Sequence, residues 1–198
     1  MSRAIVFDLD GTLLSFDRPY GTVLSETFER SVGESRQEWV DTYSESFFER
    51  FRALDPEPVR RAFAAVGVGD PGELRGTLLE REIAASEPPS GAHDDLERLA
   101  AEYRLGVLTN GLPDWQLAKL RAHDVEGRFD AVVTSYEVGA HKPDPAPFRE
   151  VERRIEGEGY AMVGDSDGDI EGARGVGWSA LRYDGGGFGG VPGKLGYG

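Results

Sequence analysis

Short apolar runs that stop at charged or hydroxylated residues dominate the hydropathy pattern. Ala4-Ile5-Val6-Phe7 gives way to Asp8, and Leu105-Gly106-Val107-Leu108 to Thr109 and Asn110. Ala131-Val132-Val133 precedes Lys142, and Tyr160-Ala161-Met162-Val163 leads into Asp165. Runs this short, rich in Ile and Val, read as buried strands. They predict strands over 4–8, 104–109, 131–134 and 159–163, with a last one at 179–183. Helical patterns fill the intervals: 91–102, 113–123, 145–156 and a short helix over 169–176. Strand and helix in alternation predict an α/β fold, a Rossmann-like doubly wound parallel sheet.

Residues 16–88 break that rhythm, since no strand pattern is convincing there. Trp39, Tyr43, Phe47 and Phe51 recur at helical spacing, with Val40 and Phe48 beside them; Leu74, Leu78 and Ile83 mark a second apolar face. Pro56 and Pro58 punctuate one helix start and Asp70-Pro71 the next. The segment reads as an inserted helical bundle of about four helices, left through Glu87-Pro88-Pro89-Ser90-Gly91. The expected organisation is a discontinuous core, 1–15 with 90–198, around an insert at 16–89. The Gly-rich tail from Gly185 is expected to be irregular; it opens no helix with a dinucleotide-binding pattern, and Leu195 after Gly193-Lys194 rules out a P-loop.

The length, 198 residues, suits one domain plus an insertion. No apolar stretch is long enough to span a bilayer. Met1-Ser2-Arg3 runs straight into a strand, so no signal peptide and a cytoplasmic location are expected. The absence of cysteine excludes disulfides, thiolate metal sites and cysteine nucleophiles. A formal net charge of -14 opposes nonspecific binding to nucleic acid or anionic membranes. The only lysines are Lys119, Lys142 and Lys194. Such an acidic, lysine-poor chain suits a salt-rich, halophilic cytoplasm; a genome rich in guanine and cytosine also exchanges Lys for Arg. The quaternary state is read as monomer or homodimer.

In a parallel open sheet the polar groups after each run share the carboxyl end, where ligands bind. Asp8, Asp10, Asp165 and Asp169 would meet one ammonium and one hydroxyl there. That set suits a divalent cation and a phosphate. Two carboxylates at 4 Å repel by ~4 kcal/mol at an effective dielectric near 20, so Asp8 and Asp10 need a cation, a shared proton or distinct roles. Asp165 and Asp169 are four apart, one helical turn. Oxygen-only ligands suit a hard ion such as Mg²⁺. In Lys142-Pro143-Asp144-Pro145, Asp144 is a natural helix cap and fixes Lys142 at the crevice edge. Thr109-Asn110-Gly111 offers a hydroxyl and a backbone amide to phosphate oxygens. Two imitations fail. An EF-hand loop from Asp165 would put Ile170 where Gly is required, and a Gly164-x-Ser166-x-Gly168 nucleophile elbow lacks a following His.

From Asp8 to about Tyr183 the chain resembles the haloacid dehalogenase (HAD) superfamily. The resemblance rests on Asp8-x-Asp10-Gly11-Thr12, Thr109-Asn110-Gly111, Lys142-Pro143-Asp144-Pro145 and Gly164-Asp165-Ser166-x-x-Asp169, in the family's order. It implies a HAD-like core with an α-helical cap domain, and a phosphatase acting on a small-molecule phosphomonoester. Asp8 would attack phosphorus and carry an aspartyl-phosphate. Asp10 would protonate the leaving alcohol and then activate water. Thr109 and the Asn110 amide would hold the phosphoryl group, and Lys142 would offset its charge. Mg²⁺ would be bound by Asp8, the Asp10 backbone carbonyl and Asp165, with Asp169 direct or through water. Cap arginines such as Arg18, Arg50, Arg52 and Arg75 are candidates for an anionic leaving group. Within the superfamily, 2-haloacid dehalogenases lack the second Asp and phosphomutases keep it; a non-catalytic phosphate-binding protein is a further alternative.

Overall fold

The computed structural model describes residues 3–197. In chain order its strands and longer helices are β1 (Ala4–Phe7), β2 (Ser15–Phe16), α1 (Tyr20–Val32), α2 (Gln37–Arg52), α3 (Pro58–Val66), α4 (Pro71–Ala85) and β3 (Ser86–Glu87). Then come α5 (Ala92–Glu102), β4 (Arg104–Thr109), α6 (Pro113–Ala122), β5 (Ala131–Thr134), α7 (Ser135–Val138), α8 (Pro145–Arg154), β6 (Tyr160–Gly164), α9 (Asp167–Gly175), β7 (Ser179–Arg182) and α10 (Val191–Lys194). The chain forms two compact units: residues up to Ser15 with those from Pro88 onward, and Phe16–Glu87.

The first unit is built on a five-stranded sheet in the order β5-β4-β1-β6-β7. All four of its pairings are parallel, with Phe7 opposite Val107 on one side and Val163 on the other. Alternation along β1 sends Ile5 and Phe7 to one face and Ala4 and Val6 to the other. The first face packs on Leu96, Leu99, Leu120 and Phe188, the second on Phe148, Val151, Ala173 and Trp178. Helices therefore cover both faces, as the apolar runs required. The winding reverses between β5 and β6, which leaves the carboxyl end of β1 at the switch point.

Some details differ from the sequence reading, among them the unpredicted β2, β3 and α7. The helix expected from 169 begins at Asp167, because Ser166 and Asp169 form a capping box. The tail, expected to be irregular, carries the short α10 and is also anchored: Phe188 and Val191 are buried, the Phe188 ring lies 5.2 Å from that of Phe7, and the Phe188 N–H donates to Asp95 Oδ2 at 2.7 Å. Isolated apolar anchors among glycines carry no periodicity, so the pattern could not reveal them.

The second unit holds α1–α4. Phe28, Tyr43 and Phe63 form its aromatic centre, with ring centroids 5.6 Å (Phe28–Phe63) and 4.3 Å (Tyr43–Phe63) apart, and Leu74 and Leu78 are buried with them. Asp70 caps α4, accepting from the N–H groups of Gly72 and Glu73. β2 and β3, two residues each and too short to show a pattern, pair with one another. Arg18 is bound to Asp17 and Glu26, Arg50 to Asp55, and Arg52 lies over the Phe48 ring. Among the described residues, no helix is long and apolar enough to cross a membrane.

Candidate active site

Asp8, Asp10, Thr109, Asn110, Lys142, Asp165 and Asp169 all lie in the first unit, at the carboxyl ends of its strands, in the loops that follow or, for Asp169, in the first turn of α9; the candidate arginines Arg18, Arg50, Arg52 and Arg75 lie in the second unit. Asp8 directly follows β1 and its N–H donates to Val163 O at 2.9 Å. The chain then folds back: Leu14 N–H donates to Leu9 O at 2.9 Å and Gly11 N–H to Leu14 O at 2.8 Å. Gly11 has φ +93°, and a Cβ there would stand 2.5 Å from Asp165 Oδ2. Only glycine lets the first loop approach that carboxylate so closely. Thr12 Oγ1 donates to Asp165 Oδ1 at 3.3 Å.

Lys142 ties the other groups together. Its Nζ donates to Asp8 Oδ1 (2.6 Å), Asp169 Oδ1 (2.5 Å) and Leu108 O (2.8 Å), using all three protons. Asn110 holds the Lys142 backbone from both sides, with Oδ1 accepting its N–H at 2.9 Å and Nδ2 donating to its carbonyl at 3.3 Å. Asp169 is fully buried, and its Oδ2 accepts from the Ser166 N–H (3.1 Å) and hydroxyl (2.6 Å). Gly164 leaves room for it, since a Cβ would lie 2.4 Å from Asp169 Cγ.

Ligand oxygens of Asp8, Asp165 and Asp169 lie within 4.8 Å of one another. Three carboxylates beside one ammonium leave two uncompensated negative charges. Burial therefore pushes the Asp8 carboxyl up to about 7; Lys142 opposes that rise, and Asp169 and Asp10 add to it. The Lys142 ammonium is itself raised, because Asp8 and Asp169 outweigh its burial. A divalent cation would supply the missing positive charge, and an all-oxygen donor set suits Mg²⁺.

The Asp10 carboxylate turns toward α6, where Oδ1 meets Lys119 Nζ at 2.8 Å and Oδ2 meets Gln116 Nε2 at 2.9 Å. Gln116 Nε2 also reaches Thr109 Oγ1 at 2.9 Å. The Thr109–Gly111 turn is further held by Ser135 Oγ, which accepts from Gly111 N–H at 3.0 Å and lies 2.9 Å from His141 Nδ1. Sequence reasoning missed Gln116, Lys119 and the Ser135–His141 pair. One signal was present: Gln116 and Lys119 stand three apart on a helix that opens straight after the Thr109 turn, and Lys119 is one of three lysines.

A family model for haloacid dehalogenase-like hydrolases matches residues 2–177. The phosphoserine phosphatase of Thermus thermophilus is 30% identical, covering 92% of this chain and 84% of that protein. The pyrimidine 5'-nucleotidase PynA of Streptococcus pneumoniae is 26% identical, again over 92% and 84%. In fold, the chain is similar to the HAD-hydrolase YfnB of Bacillus subtilis in its magnesium-bound form, with a TM-score of 0.73, 23% identity, and coverage of 92% and 89%.

Proposed function

The chain belongs to the haloacid dehalogenase-like hydrolase family, and we propose that it is a Mg²⁺-dependent phosphatase that hydrolyses small-molecule phosphomonoesters through a phosphorylated Asp8. The observation that carries this reading is the single Lys142 ammonium shared by Asp8 and Asp169, with the Asp165 carboxylate beside them. Curated relatives named as phosphatases and a nucleotidase support the reaction class.

Asp8, Asp165 and the Asp10 backbone carbonyl would hold the ion. Asp169, whose two oxygens already accept hydrogen bonds, would hold it through water. When bound, the ion supplies positive charge that lets a phosphate approach an anionic nucleophile. The remaining work falls to the chain. Asp8 attacks phosphorus; Lys142 fixes its orientation and offsets part of its charge. Thr109 and the Asn110 amide hold phosphoryl oxygens, and phosphoryl transfer depends mostly on such positioning. Asp10 gives a proton to the leaving alcohol and takes one from the attacking water. Phe16–Glu87 is read as the family's helical cap, hinged near Leu14–Arg18 and Glu87–Gly91, which excludes bulk water and selects the leaving group.

A panel of phosphorylated metabolites, including nucleoside monophosphates, phosphoglycolate and phosphoserine, tests the reading with and without Mg²⁺. Phosphate release that needs the ion supports it. Halide release from 2-haloacids without phosphate release would replace it with dehalogenase chemistry.

A further inference from the structure

Asp10 is more exposed than the other carboxylate on its loop: its side chain is 34% accessible, against 10% for Asp8. A carboxylate so placed samples several rotamers unless something holds it. Lys119 and Gln116 do so from one face of α6, each on a different oxygen. Both are buried, at 3% and 2% exposure. Burying an ammonium is costly without a partner, and the Asp10 carboxylate provides one at 2.8 Å.

Gln116 has a second task. Its Nε2 serves both Asp10 Oδ2 and Thr109 Oγ1. Because Oγ1 accepts there, the Thr109 hydroxyl proton is left for another acceptor. Gln116 Oε1 is buried without a partner. Flipping the amide would turn that oxygen against Asp10, so the carboxylate fixes its orientation. Gly111 gives the amide room, since a Cβ there would stand 2.7 Å from Nε2.

We propose that Lys119 and Gln116 are positioning residues that clamp Asp10 in one rotamer and couple it to the Thr109 hydroxyl. The inference rests on the reading of Asp10 as the acid and base. In the first step an Asp8 oxygen bonds to phosphorus, the bond from phosphorus to the alcohol oxygen breaks, and the Asp10 proton moves to that oxygen. In the second, a water oxygen bonds to phosphorus, its proton passes to Asp10, and the electron pair of the phosphorus–Asp8 bond returns to Asp8 as carboxylate. The same Asp10 oxygens must be in place twice. An aryl ester with a nitrophenolate leaving group needs no proton in the first step, so it reports whether the clamp acts through Asp10.

Lys119→Met, Lys119→Arg and Gln116→Leu are assayed with Mg²⁺ on the best alkyl phosphate of the panel and on p-nitrophenyl phosphate. Lys119→Met and Gln116→Leu are expected to lose at least about tenfold in kcat on the alkyl ester, part of the range that acid–base catalysis supplies, with KM within about threefold. On the aryl ester they keep a nitrophenolate burst near the wild-type rate, followed by slow turnover. Lys119→Arg, which keeps the charge, recovers part of the loss. Equal losses on the alkyl ester and the aryl burst, or no loss on the alkyl ester, overturn the proposal. If Lys119→Met fails to fold, Lys119 is a structural residue and leaves the proposal; Gln116→Leu then decides it. Asp10→Asn runs in parallel: if it too treats both esters alike, the fault lies in the acid–base reading and not in the clamp.

Discussion

Replacing Lys142 by Met keeps the length of the side chain and removes the one cation between two buried carboxylates. Asp8 and Asp169 stand at 2.6 and 2.5 Å from Nζ, and the Leu108 carbonyl at 2.8 Å also loses its donor. Breaking a buried ion pair by removing one partner costs about 3–5 kcal/mol. At about 2–4 °C per kcal/mol for a chain of this size, the metal-free variant should melt about 6–20 °C below wild type at pH 8. The sign of the pH dependence follows from Asp8. Its folded value is already raised to about 7 by burial, and loss of Lys142 raises it further. The folded state then binds more protons than the unfolded state from about pH 4 upward, so stability falls as pH rises. The deficit of the variant is therefore largest at pH 8 and shrinks toward pH 5. Mg²⁺, a replacement cation, should narrow it at pH 8 without restoring turnover. Circular dichroism melts in EDTA and in Mg²⁺, at both pH values, provide the assay. A variant that melts within about 2 °C of wild type at pH 8, well under the cost of a broken buried pair, would refute the buried counter-ion argument.

Asp8→Asn should abolish phosphate release while raising the melting temperature of the metal-free protein at pH 8, because it deletes a buried charge; the gain should shrink as pH falls and vanish below about pH 3, where Asp8 is neutral in both states, and wild-type rates would exclude Asp8 as nucleophile. Phe188→Ala should destabilise the first unit by about 3–5 kcal/mol, the usual cost of emptying a buried aromatic site; a denaturant midpoint unchanged from wild type would show the tail does not anchor the core. With a net charge of -14, self-repulsion should make the melting temperature climb between low and molar KCl; a flat response would leave the acidic composition without a salt-dependent role.

The elements that place the site were legible because their chemistry is local. β1, β4 and β6 are buried on both faces, so they read as unbroken apolar runs, and the groups that follow them fall at one sheet edge whatever the loops do. Asp144 announced a helix cap by residue type alone. What stayed hidden depends on distant partners. Nothing in the hydropathy pattern singles out Lys119 and Gln116; their contacts to Asp10 span 109 and 106 positions. Asn110 offered a backbone amide in sequence, yet its side chain is committed to the Lys142 backbone, a pairing across 32 positions. Phe188 looked like a stray residue among glycines until Phe7 and Asp95 supplied its contacts.

The central claim is that carboxylates from separate ends of the chain build one centre in which Asp8 becomes phosphorylated. If Asp10 activates the water, Asp10→Asn should slow the second step, so acid-quenching that variant during p-nitrophenyl phosphate turnover and mapping its peptides by mass is the most direct measurement. A phosphoryl group on the Asp8 peptide, present with Mg²⁺ and absent in EDTA or in Asp8→Asn, is the predicted result. Ester turnover by the wild type with no label on that peptide in the variant, or label on another residue, would contradict it.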